Sequence, residues 1–424
     1  MSSSSPPRLS KGARVVLGLG LTVVSCVFAL LAVEVGVRIA RVGSDQFLRP
    51  DPVLGVRFIE SKSGLSQSTC YSADVTIGAA GWRSPDVATP KPDDVYRILV
   101  LGDSFMAGLQ VNDGETLARL LERRLGGAAR GRRVEVVNFG VPSFGTDQQL
   151  IALREYGLAL QPDLVVLAFY AQNDVAENDR MLRSNTNTDP KPYFELQAGQ
   201  LVELPFRDNT PAAVQLVRRA VAPLRIYPLT RDALVAIPLT HRVLYGLGIV
   251  NVVPQQNRNP APTSTDGTIW NWPDRWRRQI GVFELEPWAD WGHAWSVTEA
   301  LVAAVHREAV RGQAEFVIAG VASPIEVMPT QLLGQLIDKE EQIDVSGPGN
   351  RLEAIAHRQG VQLVSTVPGF RQRVAQRADV FERLFLSCDG HWTAAGHELA
   401  ADLLEPVIRE RVQRGPTHRV ARLH

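Results

Sequence analysis

The rhythm of apolar and polar positions changes three times along this chain. From Val15 to Val33 no charged residue interrupts a strongly apolar run, long enough to cross a bilayer as one helix. Between 42 and 94, glycine and proline punctuate a mixed segment without a long period, which predicts a stalk and an N-terminal cap packed on the main body. From Tyr96 onward, short runs apolar on both faces alternate with stretches of helical spacing. Ile98–Leu101, Val134–Val137, Asp163–Phe169, Glu315–Gly320 and Val361–Ser365 predict buried parallel strands. Helices are predicted over Glu115–Leu125, Asp147–Leu158, Val297–Ala309, Arg351–Gln359 and Ala394–Val412. Strands alternating with helices imply an α/β class, a three-layer α/β/α doubly wound parallel sheet.

The alternation lapses between residues 176 and 295, a length that predicts a functional insertion or subdomain. This stretch holds Trp270, Trp272, Trp276, Trp288, Trp291 and Trp295. Exposed, such rings stack on sugars; we expect them instead to pack the insertion's own small core. Leu234–Val253 is apolar enough to suggest contact with a bilayer, but its Pro and Arg interruptions suit packed helices better. The expected organisation is a cytoplasmic N-terminus (1–14), a transmembrane signal anchor (15–41), a stalk and cap (42–94), a main domain (95–412) with the insertion 176–295, and a basic tail (413–424).

Composition adds bounds rather than identity. Hydrophobic residues make up 45% and charged residues 21%, which permits a sizeable core and excludes global disorder. Lys plus Arg and Asp plus Glu number 45 each, so no overall field draws nucleic acid, and none is expected as a partner. The local basic stretch Arg409–His424 reads as a solvated, frayed end. Arg8, Lys11 and Arg14 before the apolar run favour a cytoplasmic N-terminus and an exported remainder, a vote that Arg38 and Arg41 weaken. A cleaved signal peptide would have a shorter apolar core ending at a small-residue site. Val23-Val24-Ser25-Cys26 loosely resembles a lipoprotein box, yet apolar residues continue through Val33, so the anchor is read as uncleaved. Gly18-Leu19-Gly20 lies within this span and fails as a dinucleotide loop on context. With Cys26 in the membrane, Cys70 and Cys388 share the exported side, where an oxidising compartment permits a bridge beside Asp389.

The candidate chemistry begins at Gly102-Asp103-Ser104, between a predicted strand and a helical pattern. That context puts a hydroxyl at the carboxyl end of a strand, beside N–H groups that attract developing negative charge. As a nucleophile, Ser104 needs a base and an oxyanion hole. His391 in the loop before the last helix is the base candidate, and Asp389, two residues earlier, can hold its tautomer. Oxyanion donors are available from the Ser104 amide, from the bent loop Asn138–Thr146, and from the Asn173 side chain within Tyr170–Asp174. His397 follows His391 by six residues, on a different helix face, so no zinc pair is expected. Asp103 and Asp174 are expected to bond loop amides, and His293 and His306 to lie on the surface.

Together these four blocks resemble the SGNH, or GDSL, hydrolase superfamily over residues 95 to 412, apart from the insertion. Gly102-Asp103-Ser104 matches the first block, Asn138–Thr146 the second, Gln172-Asn173-Asp174 the third and Asp389-Gly390-His391 the last. The resemblance implies a flavodoxin-like sheet with Ser104 as nucleophile, His391 as base, Asp389 as orienting acid and Asn173 as oxyanion donor. It further implies ester substrates, often acetyl or longer acyl esters, and no metal or cofactor. Ala80-Gly81-Trp82-Arg83-Ser84 looks like the segment that precedes the domain in membrane-anchored bacterial members, which implies a single-pass protein of the bacterial cytoplasmic membrane. There are three departures. Ser143 stands where the family usually carries a glycine oxyanion donor, with Gly140 and Gly145 as nearby alternatives. Ala171 replaces the glycine of the third block. Asp389 and His391 are two apart rather than three, as in alginate O-acetyltransferase relatives. The expected function is an extracytoplasmic esterase acting on small or glycan-borne acyl esters of the cell envelope or exported carbohydrate. An O-acyltransferase acting on a polysaccharide and a catalytically silent polysaccharide-assembly protein are the rivals.

Overall fold

The computed structural model describes residues 10–415 apart from 130, 185–189, 207, 209, 222–223, 236, 247–278, 285–288, 331, 334–342 and 378. Its first element, α1 (Lys11–Ile39), starts where the Ser10 hydroxyl accepts the Ala13 N–H at 3.2 Å. Gly12–Ile39 is long and apolar enough to cross a membrane, and it leaves its apolar side chains exposed. Two antiparallel hairpins follow, β1 (Leu48–Asp51) with β2 (Gly55–Phe58), and β3 (Ser63–Gln67) with β4 (Ser72–Thr76). These strands mix polar, glycine and proline residues and contain no apolar run, so sequence patterning leaves them unseen. Phe47, Leu54, Phe58 and Val75 are buried in the main core. A disulfide between Cys70 and Cys388, with Cα atoms 5.8 Å apart, ties the β3–β4 turn to the segment carrying Asp389 and His391.

The main body starts with β5 (Val95–Gly102), α2 (Ser104–Ala107), α3 (Leu117–Leu125), β6 (Arg133–Gly140), α4 (Thr146–Ala152) and β7 (Leu164–Phe169). The helix expected to reach Leu158 changes to a π-type turn over Leu153–Gly157. Then come α5 (Ala171–Glu177), α6 (Arg180–Ser184), the hairpin β8 (Phe194–Gln197) and β9 (Gln200–Glu203), and the helices α7 (Ala212–Val221), α8 (Ile226–Val235) and α9 (Pro238–Gly246). The described part of 176–295 therefore holds several helices and a hairpin. The second half contains α10 (Ala289–Arg311), β10 (Glu315–Gly320), α11 (Pro324–Val327), α12 (Gly347–Arg358), β11 (Gln362–Ser365), α13 (Val367–Gln376), α14 (Val380–Leu384) and α15 (Ala394–Arg414).

The central sheet has the order β11-β10-β7-β5-β6, and every pair is parallel. This is the flavodoxin-like arrangement, with the winding reversed between β5 and β7, and crevices at such reversals hold ligands. Helices α3 and α15 pack together on one face, while α4, α10 and α12 cover the other. Burial on both faces explains why the strands carry almost no charge. The buried exceptions are Arg97 in β5 and Glu135 in β6, which pair: the Arg97 guanidinium meets Glu135 at 2.7 and 2.9 Å and the Leu160 carbonyl at 2.6 Å.

Three expectations are corrected here. Trp291 and Trp295 sit on α10, buried in the main body, with the Trp295 ring 6.4 Å from that of Phe169. They serve neither a sugar platform nor a separate insertion core, because α10 begins at Ala289 and packs directly on the sheet layer; Trp270, Trp272, Trp276 and Trp288 lie outside the described residues. Leu234, Ile237, Leu239 and Val243 are exposed, not packed; residues 247–253 of that stretch are outside the described residues. Arg409–Arg414 continue α15, with Arg409 meeting Glu405 at 2.7 Å, so the expected fraying does not begin at Arg409. Residues 416–424 lie outside the described residues.

The disulfide closes a very long loop, so its removal should matter. Cys70→Ala should destabilise the protein by about 2–5 kcal/mol. Thermal melts of the full chain in detergent should show this deficit without reductant and little difference between the two forms with it.

Candidate active site

At the end of β5 the chain turns at once into α2, and the Asp103 carboxylate accepts the Phe105 N–H at 3.0 Å as its cap. Ser104 is the first helical residue, and its N–H has no intrahelical acceptor. The helix lies close against β6: a Cβ built on Gly140 would stand 2.5 Å from the Ala107 nitrogen. Asn138 holds it there, donating to the Met106 carbonyl at 2.7 Å and accepting the Gly140 N–H at 2.9 Å. The buried Arg83 grips the same C-terminal end, donating to the carbonyls of Ala107, Gly108 and Val111. A cation at that end also suits the helix dipole. Beside it Trp82 stacks on Phe139 at 3.9 Å. The Ala80–Ser84 segment thus fixes the Ser104 helix from below.

His391 comes from the loop before α15, and its Nε2 lies 2.8 Å from Ser104 Oγ. On the other side of the ring, Nδ1 lies 3.1 Å from Asp389 Oδ2. The two-residue spacing works because Gly390 takes φ +74°, a left-handed conformation that glycine adopts without penalty. That turn lets Asp389 Oδ1 accept the His391 backbone N–H at 3.1 Å while Oδ2 faces the imidazole. Gln110 donates to the same Oδ2 at 3.2 Å. Burial opposes ionisation of Asp389, but the imidazole charge and these hydrogen bonds outweigh it and hold the carboxyl below its usual range. The ring of Phe105 lies 4.9 Å from that of His391, and Trp392 donates to the Ala322 carbonyl at 3.2 Å.

The third block meets the first through Asn173, whose side-chain amide donates to Asp103 Oδ2 at 3.2 Å. Asp174 accepts the Tyr170 N–H at 2.7 Å and the Gln149 amide at 3.1 Å. Burial pushes both carboxyls above the usual range, and the Asp103 charge adds to this at Asp174. Both bond loop amides, as the sequence suggests; the Asp103–Asn173 contact and the roles of Arg83 and Gln110 are what it does not reveal. Ala171 has a negative φ and opens α5, so the family's glycine is not required there.

Ser143 has φ +65°. The residue type departs from the family pattern while the backbone keeps the glycine-type conformation, at a cost of about 1–2 kcal/mol. Among the described residues its N–H has no acceptor. The two alternatives are occupied, since Gly140 donates to Asn138 at 2.9 Å and Gly145 to Gln148 at 3.4 Å. Of the three candidates in this loop, the Ser143 amide is the one left for a ligand.

Of the other histidines singled out in the sequence, His293 lies on the surface as expected, His306 is half-buried and His397 is buried. His397 is buried edge-on to Trp392 at 5.5 Å. Burial, then the charges of Arg83 and His391, push its imidazole down to about 3. His293 is exposed but meets Asp179 at 2.8 Å, and the half-buried His306 stacks on Phe316 at 5.3 Å.

No family model matches the chain, nor does any curated protein. Among solved structures, it is similar to an acetyl xylan esterase at 12% identity over 74% of this chain and 99% of that one, with a TM-score of 0.37. A lipase/acylhydrolase from Enterococcus faecalis shows 13% identity over 74% of this chain and 96% of that one, with a TM-score of 0.34. A catalytic mutant of an acetylxylan esterase from Geobacillus stearothermophilus shows 12% identity over 74% and 94%, with a TM-score of 0.36.

Ser143 offers a direct test of the loop. Ser143→Gly should leave stability within about 1 kcal/mol, since relief of the strained φ is offset by greater freedom of the unfolded chain. Ser143→Val, β-branched at positive φ, should cost about 2 kcal/mol or more in thermal melts.

Proposed function

We propose that this chain is a membrane-anchored serine esterase of the SGNH type that cleaves acyl esters through an acyl-enzyme on Ser104. The observation that carries this reading is the relay from Ser104 Oγ to His391 Nε2 at 2.8 Å, and from His391 Nδ1 to Asp389 Oδ2 at 3.1 Å. In this mechanism the Ser104 oxygen attacks the ester carbonyl carbon while His391 takes the hydroxyl proton. Asp389, ionised, holds the ring and stabilises the imidazolium. The carbonyl oxygen gathers negative charge before the N–H groups of Ser104 and Ser143 and the Asn173 amide. Collapse breaks the ester C–O bond, and His391 passes its proton to the leaving alcohol. Water, deprotonated by the same imidazole, then attacks the acyl-serine, releases the acid and restores Ser104.

Placement outside the cytoplasm is supported by the Cys70–Cys388 disulfide, which suits an oxidising compartment, and by the cations before the apolar run. Retention of the anchor is supported by Glu34 near the end of α1. It is buried, and its carboxylate accepts the N–H groups of Arg225 and Ile226, each at 3.0 Å. Cleavage past the apolar run, beyond Glu34, would remove a partner that the folded domain uses. The substrates proposed are acetyl or similar acyl esters borne by envelope or exported carbohydrate, following the family resemblance and the external placement.

Purified full chain in detergent should release acid from an aryl acetate, and a fluorophosphonate probe should label Ser104. Ser104→Ala should abolish both, and undiminished turnover in that variant would reject the reading. Asn173→Ala should lower kcat by about 10²–10³-fold with its fold intact. Asp389→Asn should lower it by about 10³–10⁴-fold, because the amide favours the wrong imidazole tautomer.

A further inference from the structure

Large apolar side chains exposed at the surface are not scattered over this molecule. Among the described residues they lie along α1 and on the stretch α7–α9, and elsewhere only at Val42, Val53, Met181 and Val310. On α7–α9 they include Leu216, Leu229, Leu234, Ile237, Leu239 and Val243, with Leu239 as much as 73% exposed. Leu239 and Val243 are four residues apart and share one face of α9. An exposed apolar concentration of this kind marks an interaction surface rather than ordinary exterior.

What covers it follows from where it is fastened. Val15–Val33, the uncharged run, is roughly 28 Å long as a helix, about the thickness of a bilayer's hydrocarbon core. Glu34 is the first charge beyond it, at the level where the headgroups begin. At that point the Glu34 carboxylate caps the start of α8 through the Arg225 and Ile226 N–H groups. Arg225 also reaches Asp45, and Leu229 packs over Gly43. Helix α8 is therefore pinned at the headgroup boundary, and α9 packs on α8 with its apolar face uncovered. The exposed Arg242 on α9 suits anionic headgroups.

We infer that α7–α9 rest in the outer interface of the same bilayer that α1 crosses, with their exposed apolar side chains inserted among the lipids. The chain would then hold the membrane by one spanning helix and one lateral foot, which sets the height and tilt of the catalytic body. This rests on the reading of α1 as a retained span.

The test uses the full chain in vesicles of phosphatidylcholine and phosphatidylglycerol that carry spin-labelled lipids. A fluorescent thiol label is placed at Leu239→Cys or Val243→Cys in a Cys26→Ser background, at Val310→Cys as the water-exposed control, and at native Cys26 as the marker of the span. The bridged Cys70 and Cys388 do not react. Labels at positions 239 and 243 should be quenched by lipid at least roughly twofold more than at 310. Quenching at Cys26 with none at 239 or 243 would overturn the inference and leave the anchor standing. A blue-shifted label at 239 that spin-labelled lipid does not quench would mean a protein covers the face, and it would overturn the inference equally. No quenching at Cys26 would overturn both.

Discussion

Where β5 and β6 reach the carboxyl edge of the sheet, Gly102 faces Gly140, and neither puts a side chain between the strands and the helix that carries Ser104. Any Cβ at Gly140 would meet the backbone of α2, so this close approach depends on its absence. Asp103 caps the start, and Asn138 and Arg83 hold the C-terminal carbonyls, of a helix only one turn long, which could not hold itself by its own hydrogen bonds. The hydroxyl is thereby placed on a rigid support at the reversal point of the sheet, and the other blocks only have to reach it.

Three carboxyl groups surround this point in different environments. All three lose hydration, which favours the protonated form. At Asp389 the facing imidazole and several donors overturn that penalty, so the group beside His391 remains an anion. At Asp103 and Asp174 the penalty wins, and the charge on Asp103 raises Asp174 further. The Asp389 carboxylate lies on the side of the imidazole away from Ser104, where it stabilises a proton on the ring.

The segments outside the sheet are fastened to the site or to α1. The N-terminal hairpins are bonded covalently next to Asp389 through Cys388, and the Trp82–Arg83 pair supports α2. The chain leaving α1 is thus committed to the catalytic body within a few tens of residues, and α8 returns to the end of α1 at Glu34.

Sequence alone determined the alternating α/β order, the doubly wound sheet class, the apolar run of α1 and the four blocks, because each is written in local periodicity or in residues adjacent along the chain. The parallel strands were legible because burial on both faces leaves an uninterrupted apolar signature. The hairpins of the cap and the helices within 176–295 were not, since short strands and marginally amphipathic helices take their stability from partners far along the chain. Only tertiary structure decided that Trp291 and Trp295 serve the main core, that Gln110 reaches Asp389, and that Asp103 orients Asn173. It also decided that Ser143 keeps a glycine's backbone and a free N–H. These are facts of juxtaposition across tens to hundreds of residues, and a one-dimensional pattern carries no distance between groups that meet only once the chain is packed.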